Sequence, residues 1–448
     1  MPLSPMTPPE PVPVEHHAQR RKRLMACLPS GAAVLVPSAQ LATRSRDTEY
    51  PFRQDSDFHY LTGFPEPDAL LVLLPGREEG EAVLFCRDRD PAIEIWTGRR
   101  LGAAGAVAEY GLDQAFENNE RESRLLQLLD GRESWYLALG NAEAMTLATS
   151  LRGKLALRRG ASAPVMLGDI NQFLHEQRLI KSDEELRLLR HAARISARGH
   201  RRAMASARPG LMEYQLQAEL EHEFRWHGAG GASYDSIVAG GANACVLHYI
   251  ENSAPLRDGE LVLIDAGAEY QLYAGDITRT FPVNGRFSTP QRALYEVVLA
   301  AQLAALDAVR PGTTLPAIHG LVQRRLTEGL IALGLLEGEL EDCLEQNACR
   351  RFYPHTTSHW LGLDVHDVGA YVQDGKPRLL VAGMALTIEP GLYVPDTPEF
   401  PADYRGIGIR IEDDVVVTEV GAEVLSAEAP KQVAEIEAWM AEYRGNSN

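Results

Sequence analysis

The sequence has no long apolar run and few cysteines, and both shortages exclude classes of protein. No stretch reaches the roughly eighteen consecutive apolar residues that a membrane-spanning helix needs, so a membrane protein is not expected. The 448 residues include five cysteines. Their number is odd and no C-x-x-C pair occurs, which disfavours both a zinc cluster and a disulfide framework. Unpaired thiols are typical of a reducing compartment, and we therefore expect a cytoplasmic protein.

Positive charge is also scarce. Lys and Arg number 44 against 62 Asp and Glu, which gives a formal net charge of −18. A chain of this charge repels phosphate backbones, so nucleic acid is not expected among its partners. The basic cluster Arg20-Arg-Lys-Arg23 does not change this expectation, because Leu24 and Met25 follow it as at the start of an amphipathic surface helix.

The chain divides into three predicted regions. Residues 1–17 are rich in proline and contain no apolar signal-peptide core, so we expect a flexible tail and not a secretion signal. Residues 18–176 alternate short apolar runs with polar stretches of helical spacing, which predicts a small α/β domain. Residues 177–448 contain the capping box Ser182-Asp-Glu-Glu185 at the start of a long helix and are richer in strands. The apolar runs that we expect to form strands in the first domain are 32–37, 69–74, 81–86 and 135–139.

Acidic residues interrupt four apolar strands of the larger domain. An apolar run ends at Asp265, and Asp276 begins a second alternating segment eleven residues later. The short polar turn between them predicts antiparallel neighbours, which would bring both aspartates to one point. Glu389 and Glu412 lie in two further strands whose opposite faces are apolar. Carboxylates on buried sheet surfaces are costly unless they are paired or bind metal.

Histidines are concentrated near these strands. His355, His359 and His366 fall within twelve residues, and His248 follows a stretch of small residues. Each signal alone has an ordinary explanation, since strand-end aspartates form turns, clustered histidines occur in surface loops and a single histidine packs in a core. Four acidic interruptions with histidines between them are harder to explain in this way.

The ordered set Asp265, Asp276, His359, Glu389 and Glu412 resembles that of the pita-bread metallopeptidases. Three motifs are most similar to the bacterial aminopeptidase P (Xaa-Pro aminopeptidase) family: S-H-W-L-G-L-D-V-H-D-V-G at 358–369, I-E-P-G-L-Y at 388–393 and G-I-R-I-E-D-D at 408–414. Segments 52–64 and 95–102 also resemble that family, so the similarity extends over the chain except for the proline-rich tail. It implies an α/β N-terminal domain of creatinase type and an α+β pita-bread catalytic domain.

The resemblance implies two divalent metal ions held by Asp265, Asp276, His359, Glu389 and Glu412. Four carboxylates and one neutral imidazole carry a charge of −4, which two divalent cations balance. Oxygen-rich ligation favours Mn²⁺, with Co²⁺ or Zn²⁺ as alternatives. Such a pair shares a water molecule and lowers its pKa, which supplies hydroxide at neutral pH. The implied reaction is hydrolysis of the bond between an N-terminal residue and a following proline in peptides.

The resemblance also implies roles around the metals. Glu389 is the candidate for moving the proton of the attacking water, and His366 and His248 are candidates for donating hydrogen bonds to the substrate carbonyl and the oxyanion. Thr278 is a candidate partner of the neighbouring Asp276. The candidates for substrate contacts are His355, Arg410, Tyr393 and Trp96. Trp96 would reach the site of a neighbouring subunit in a homo-oligomer, a tetramer or a dimer; the alternative is an ordinary partly buried aromatic.

Three other functions remain open at this point. A prolidase has the same metals and fold, but its substrates are limited to Xaa-Pro dipeptides. A methionine aminopeptidase is less similar, because those enzymes generally lack such an N-terminal domain. A non-enzymatic descendant that binds peptides would be expected to have lost one or more ligands, whereas all five are present in this sequence.

Overall fold

The computed structural model describes residues 6–444, which divide into two compact units. The N-terminal unit comprises Pro11–Arg178, and the C-terminal unit comprises residues 6–10 and 179–444. The boundary between the two units falls after Arg178, two residues beyond the predicted boundary at residue 176. Residues 1–5 of the predicted tail lie outside the described residues. Residues 14–17, which we assigned to the tail, instead form the first turn of a helix, because His17 is buried in the N-terminal unit.

The N-terminal unit has the predicted α/β fold. Its strands are β1 (Ala32–Pro37), β2 (Thr43–Ser45), β3 (Thr48–Glu49), β4 (Leu70–Leu73), β5 (Ala82–Cys86), β6 (Gln114–Glu117), β7 (Ser134–Leu137) and β8 (Met166–Asp169). The helices from its start to the division are α1 (Val14–Ala26), α2 (Ser56–Thr62), α3 (Pro91–Thr97), α4 (Gly102–Tyr110), α5 (Arg121–Leu128), α6 (Ala142–Leu157) and α7 (Asn171–Leu179).

Six of these strands form one mixed sheet in the order β6-β5-β4-β1-β7-β8. Strand β4 runs antiparallel to β1 and β5, and the other neighbours are parallel. The four predicted strands correspond to β1, β4, β5 and β7, with ends that differ by at most two residues. Their residues are buried along the whole length of each strand. This burial explains why they appear in the sequence as continuous apolar runs without alternation.

The C-terminal unit combines small antiparallel sheets with long helices. Its strands are β9 (Gly231–Ala232), β10 (Ile237–Gly240), β11 (Leu261–Asp265), β12 (Ala268–Tyr270), β13 (Tyr273–Ala274), β14 (Thr278–Pro282), β15 (Val372–Gln373), β16 (Lys376–Pro377), β17 (Ala385–Ile388), β18 (Gly391–Tyr393), β19 (Gly408–Arg410), β20 (Asp413–Val417) and β21 (Ala422–Val424). Its helices are α8 (Asp183–Ser206), α9 (Glu213–Trp226), α10 (Thr289–Ala308), α11 (Leu315–Ala332), α12 (Leu340–Glu345) and α13 (Val433–Arg444). Among residues 6–444, none of the helices combines the length and the apolar character that crossing a membrane requires.

Strand pairing in the C-terminal unit brings the acidic segments together. Strand β11 runs antiparallel to β14, and Asp265 at the end of β11 pairs with Thr278 at the start of β14. The predicted antiparallel pairing is therefore confirmed, but the predicted short polar turn is wrong, because the connection contains the paired strands β12 and β13. Strand β17, which leads to Glu389, pairs with β20, which begins one residue after Glu412. Each acidic side chain thus lies at or near a strand end, where the backbone is held by a neighbouring strand.

Candidate metal centre

Two aspartates converge on one tyrosine. The hydroxyl oxygen of Tyr234 lies 2.6 Å from Asp265 Oδ1 and 2.5 Å from Asp276 Oδ1. A hydroxyl has one proton, so it donates to only one carboxylate at a time. The other carboxylate therefore gains no donor from Tyr234 at that moment. Such a pair of adjacent acids favours a nearby positive charge.

His359 faces these acids through one ring nitrogen. Its Nδ1–H donates to the carbonyl oxygen of Trp360 at 2.9 Å. This bond fixes the tautomer and leaves Nε2 at 3.3 Å from Asp276 Oδ2 and 3.5 Å from Glu389 Oε1. Burial disfavours the charged imidazole, but Asp276 and Glu389 outweigh this effect and raise the pKa of His359 to about 9. The position in front of Nε2 therefore attracts positive charge, as in a histidine ligand oriented by a backbone carbonyl.

Glu389 and Glu412 complete the cluster of acidic side chains around His359. Thr387 Oγ1 donates to Glu389 Oε1 at 3.3 Å, so both side chains project from the same face of the chain. Thr278 Oγ1 donates to Glu412 Oε2 at 2.7 Å. Thr278 was predicted to support Asp276, and its contact is instead with Glu412, because β14 lies beside the segment that precedes β20.

The crowded carboxylates fit a divalent metal site. Burial raises the pKa of Glu389 to about 7, with His359 opposing the shift and Asp276 adding to it. Burial also raises the pKa values of Asp276 and Glu412, and the neighbouring carboxylates raise them further. Ligand atoms of Asp276, His359 and Glu412 all lie within 4.8 Å of one another. Buried oxygens and one imidazole nitrogen at this spacing are suitable donors for divalent cations.

The five candidate metal ligands line a cavity of about 570 Å³. The candidate residues that share its wall are Asp265, Asp276, His359, Glu389, Glu412, His248, His355, His366 and Arg410. The rings of His366 and His359 meet edge to face, with centroids 4.3 Å apart. His248 and His366 are exposed to the cavity, so both have imidazole nitrogens available to a bound molecule. The cavity therefore combines clustered carboxylates, which are suitable donors for a metal ion, with imidazole groups that can form hydrogen bonds.

Hydrogen bonds connect Arg410, which is part of the cavity wall, to the buried Tyr393 and to His355. Arg410 Nη1 donates to the Tyr393 hydroxyl at 2.8 Å, and this oxygen lies 2.9 Å from His355 Nε2. His355 Nδ1–H donates to the carbonyl oxygen of Thr356, so Nε2 accepts from Tyr393. Burial and the charge of Arg410 lower the pKa of His355 to about 3, which keeps this imidazole neutral. Tyr393 itself is buried and is connected to the cavity through its hydrogen bonds with Arg410 and His355, which line it.

Comparisons with known proteins agree with this geometry. Residues 187–419 match the family model of metallopeptidase family M24, and residues 17–137 match that of the aminopeptidase P N-terminal domain. The Xaa-Pro aminopeptidase of Escherichia coli is 49% identical over 426 residues, which cover 94% of this chain and 96% of that protein. The chain belongs to the Xaa-Pro aminopeptidases of metallopeptidase family M24.

Solved structures of Xaa-Pro aminopeptidases superpose closely on this one. Aminopeptidase PepP of Pseudomonas aeruginosa is 49% identical with a TM-score of 0.96, and the match covers 97% of this chain and 99% of that one. Zinc-substituted aminopeptidase P of E. coli in complex with product is 48% identical with a TM-score of 0.95, covering 97% and 100%. The predicted family, the pita-bread fold and the assignment as a metal-dependent hydrolase with a dinuclear site are therefore confirmed.

The remaining predicted substrate contact of this Xaa-Pro aminopeptidase is Trp96. It belongs to α3 of the N-terminal unit, where 87% of its surface is exposed. This exposure excludes the alternative of a partly buried aromatic within the unit. Ile95 beside it is 81% exposed. The proposed position of Trp96 beside a neighbouring subunit stays a prediction.

Two residues of the site, Asp414 and Tyr234, were not identified from the sequence. Asp414 is fully buried, and both of its carboxylate oxygens accept from the backbone N–H of Asp276 at 3.1 Å. Strand alternation from Glu412 was a signal for it, since residues two apart share a face. Tyr234 had no such signal, because it lies in a loop and contacts the aspartates only through the folded chain.

Proposed function

We propose that this chain removes the N-terminal residue from peptides whose second residue is proline. The observation that carries the proposal is the convergence of two aspartates, one histidine and two glutamates on one cavity, in a chain 49% identical to an Xaa-Pro aminopeptidase. An Xaa-Pro bond has no N–H, so a site that grips the scissile amide through that donor loses a contact. A site that binds the free amine and the carbonyl instead does not depend on it.

Asp265, Asp276, His359, Glu389 and Glu412 are the proposed ligands of two divalent ions. Carboxylate oxygens outnumber nitrogens in this set, which favours Mn²⁺, with Co²⁺ or Zn²⁺ as substitutes. The E. coli relative has been obtained in a zinc-substituted form. When bound, the ions lower the pKa of a water molecule and polarise the substrate carbonyl.

Glu389 is the proposed proton carrier of the reaction. Its carboxylate lies on the cavity wall and is oriented by Thr387. Water attacks the carbonyl carbon before proline while Glu389 accepts the proton that the water loses. Glu389 then delivers this proton to the proline nitrogen as the carbon–nitrogen bond breaks, so the carboxylate returns to its starting state.

The histidines divide into two roles. His248 and His366, exposed on the cavity wall, donate hydrogen bonds to the substrate carbonyl and to the oxyanion that forms from it. His355 has both ring nitrogens engaged with protein groups, so it offers the substrate its ring face, which suits the proline ring. Arg410 and Tyr393 act on substrate indirectly, by orienting Asp265 and His355.

A peptide panel tests the proposal against prolidase activity. Xaa-Pro-Yaa tripeptides, Xaa-Pro dipeptides and Xaa-Ala-Yaa controls are assayed with Mn²⁺, Co²⁺ and Zn²⁺. We expect cleavage of the tripeptides, little cleavage of the alanine controls and the highest rates with Mn²⁺. Cleavage restricted to dipeptides would identify a prolidase, and no cleavage with any metal would favour a peptide-binding protein.

Exposed apolar residues support assembly into a tetramer or dimer. Ile95 and Trp96 both lie exposed on α3, and exposed apolar patches commonly mark protein interfaces. In the proposed homo-oligomer, Trp96 lines the site of a neighbouring subunit. Light scattering gives the subunit number, and Trp96→Ala is expected to raise KM for tripeptides in the assembled enzyme.

Five free cysteines support a cytoplasmic location. Cys86, Cys343 and Cys349 are buried, Cys245 is partly buried and Cys27 is exposed, all without a disulfide. Unpaired thiols persist in a reducing compartment. Fractionation of cells that express the chain tests this part of the proposal.

A further inference from the structure

One buried carboxylate collects four hydrogen bonds beside the cavity. Glu213 is the first residue of α9, and none of its surface is exposed. Its Oε1 accepts from the backbone N–H of Gly240 at 2.7 Å and from the Asn243 side chain at 3.0 Å. Its Oε2 accepts from the Tyr249 hydroxyl at 2.9 Å and from the backbone N–H of Ala254 at 2.8 Å. All four donors are neutral, so no ion pair explains this burial.

The four donors belong to a single loop, residues 240–254. Gly240 ends β10 and Ala254 closes the segment, so one side chain ties both ends of the loop together. Closing a flexible loop costs entropy, and a fixed anchor at its base reduces the number of conformations available to it. Within the loop, Leu247, His248 and Ile250 line the cavity.

Glu213 is hydrogen-bonded to the residue that follows His248 in the chain. His248 is exposed, whereas the following residue, Tyr249, is buried and bonded to Glu213. The direction of the His248 side chain therefore depends on how firmly its neighbour is held. Asn252 adds a further tie, since its amide nitrogen donates to Gln217 of α9 at 2.9 Å.

We propose that Glu213 is a positioning residue, which holds the 240–254 loop so that His248 faces the scissile carbonyl. This inference rests on the proposed function of His248. A carboxylate is required because both of its oxygens accept hydrogen bonds. A glutamine offers one acceptor, and its amide N–H groups would face two donors.

The first test is Glu213→Gln in the metal-loaded enzyme. We expect kcat/KM for an Xaa-Pro-Yaa tripeptide to fall about 10- to 100-fold, because small misplacement of a catalytic group is enough to cost this much. Metal content is expected to stay at the wild-type level. Glu219→Gln on the same helix is the matched control, since Glu219 is partly exposed and paired with Arg202; its activity should equal that of the wild type.

The second test separates positioning from general structural damage. In the His248→Ala background, Glu213→Gln should lower kcat/KM less than about twofold, because the group it positions is already absent. Losses that multiply in the double variant would overturn the inference. Hydrogen exchange of peptides from 240–254 should become faster in Glu213→Gln, with the exchange of β11 and β14 unchanged. Unchanged exchange in the loop would also overturn it.

A milder variant covers the case in which Glu213→Gln does not fold. Tyr249→Phe removes one of the four donors and leaves the carboxylate in place. We expect a loss of about 3- to 10-fold in kcat/KM, again suppressed by His248→Ala; a loss that persists in that background would overturn the inference. If the wild type cleaves no Xaa-Pro peptide, the proposed function fails, and the exchange experiment still decides whether Glu213 holds the loop.

Discussion

The guanidinium of Arg410 donates a hydrogen bond of 2.6 Å to Asp265 Oδ2. Its Nε donates to Thr278 Oγ1 at 3.0 Å, and its Nη1 donates to Tyr393. Thr278 in turn donates to Glu412. The buried Arg410 side chain is therefore linked by hydrogen bonds to two proposed metal ligands. It contacts Asp265 directly and Glu412 through Thr278.

Replacing Arg410 by lysine is expected to weaken metal binding. A lysine ammonium cannot reproduce the planar fork that contacts three groups at once. Because outer partners of metal ligands typically contribute 10- to 100-fold in metal affinity or activity, we expect a loss of that size in Mn²⁺ affinity by calorimetry. Arg405→Lys is the control, since Arg405 donates to backbone carbonyls of Phe400 and Pro398. Unchanged affinity in Arg410→Lys would contradict the assigned role.

Asp276→Asn is expected to abolish hydrolysis while the fold is largely retained. Asp276 lies between Tyr234 and His359, so its carboxylate contacts side chains on both sides within the proposed metal site. Loss of a direct ligand should exceed the effect of an outer partner, which places activity below about one hundredth of the wild type. Elemental analysis should show fewer than two equivalents of Mn²⁺, with a normal circular dichroism spectrum. The exposed Asp258→Asn is the control, and near-normal turnover in Asp276→Asn would refute the assignment.

Strand patterns made much of this site predictable. Asp265 and Asp276 are eleven residues apart, and the antiparallel pairing of β11 with β14 that was predicted from this short separation brings them together. Glu389 was placed opposite the apolar face of its strand, and residues two apart share a face, so its contact with Thr387 follows the same pattern. Local periodicity is encoded in neighbouring residues, which is why the faces of these strands could be inferred.

Contacts between distant segments were not predictable in the same way. Thr278 was paired with Asp276 in the sequence, but it donates to Glu412, 134 residues away. The four bonds of Glu213 likewise depend on the folded path of the 240–254 loop. The alternation of apolar and polar residues indicates on which face of a strand a side chain lies, but it does not indicate which segment packs against that face. The start of α1 was missed for a related reason, because the burial of His17 depends on residues such as Tyr60 that are distant in sequence.

Breaking the buried ion pair of Lys181 is expected to destabilise the C-terminal unit. Lys181 Nζ lies 2.8 Å from Asp367 Oδ2, and each side chain is 1% exposed. Lys181→Met removes one partner of a buried ion pair, which typically costs about 3–5 kcal/mol in the free energy of unfolding. Asp367→Asn in the same chain should recover part of this loss. Both effects are measured by urea unfolding.

The matched control for this ion pair lies on α8. Arg190 contacts Glu423 at 2.7 Å, but the two side chains are 38% and 39% exposed. Solvent screens such pairs, so Arg190→Met should cost less than about 1 kcal/mol. Equal losses in Arg190→Met and Lys181→Met would show that burial does not determine the contribution of Lys181.

The stability of the N-terminal unit is expected to fall in mild acid because His17 is buried as a neutral imidazole. Its Nδ1–H donates to the Tyr60 carbonyl at 3.0 Å, and burial together with the charge of Arg20 lowers the pKa of His17 to about 3. In the unfolded chain the pKa is about 6.5, so between pH 6.5 and 3 the unfolded state binds a proton that the folded state does not. His17 therefore contributes a loss of stability as the pH falls below 6.5, of about 2 kcal/mol between pH 7 and pH 5.

His17→Asn tests this pH dependence, since asparagine retains a donor for Tyr60 and does not titrate. The free energy of unfolding is measured in urea at pH 7 and pH 5 from hydrogen exchange of peptides from β1 and β7. Asparagine can lower stability at pH 7, but this loss is the same at both pH values and cancels in the comparison. The variant should lose about 2 kcal/mol less than the wild type between the two pH values. Equal losses in both proteins would mean that His17 is already protonated in the folded unit.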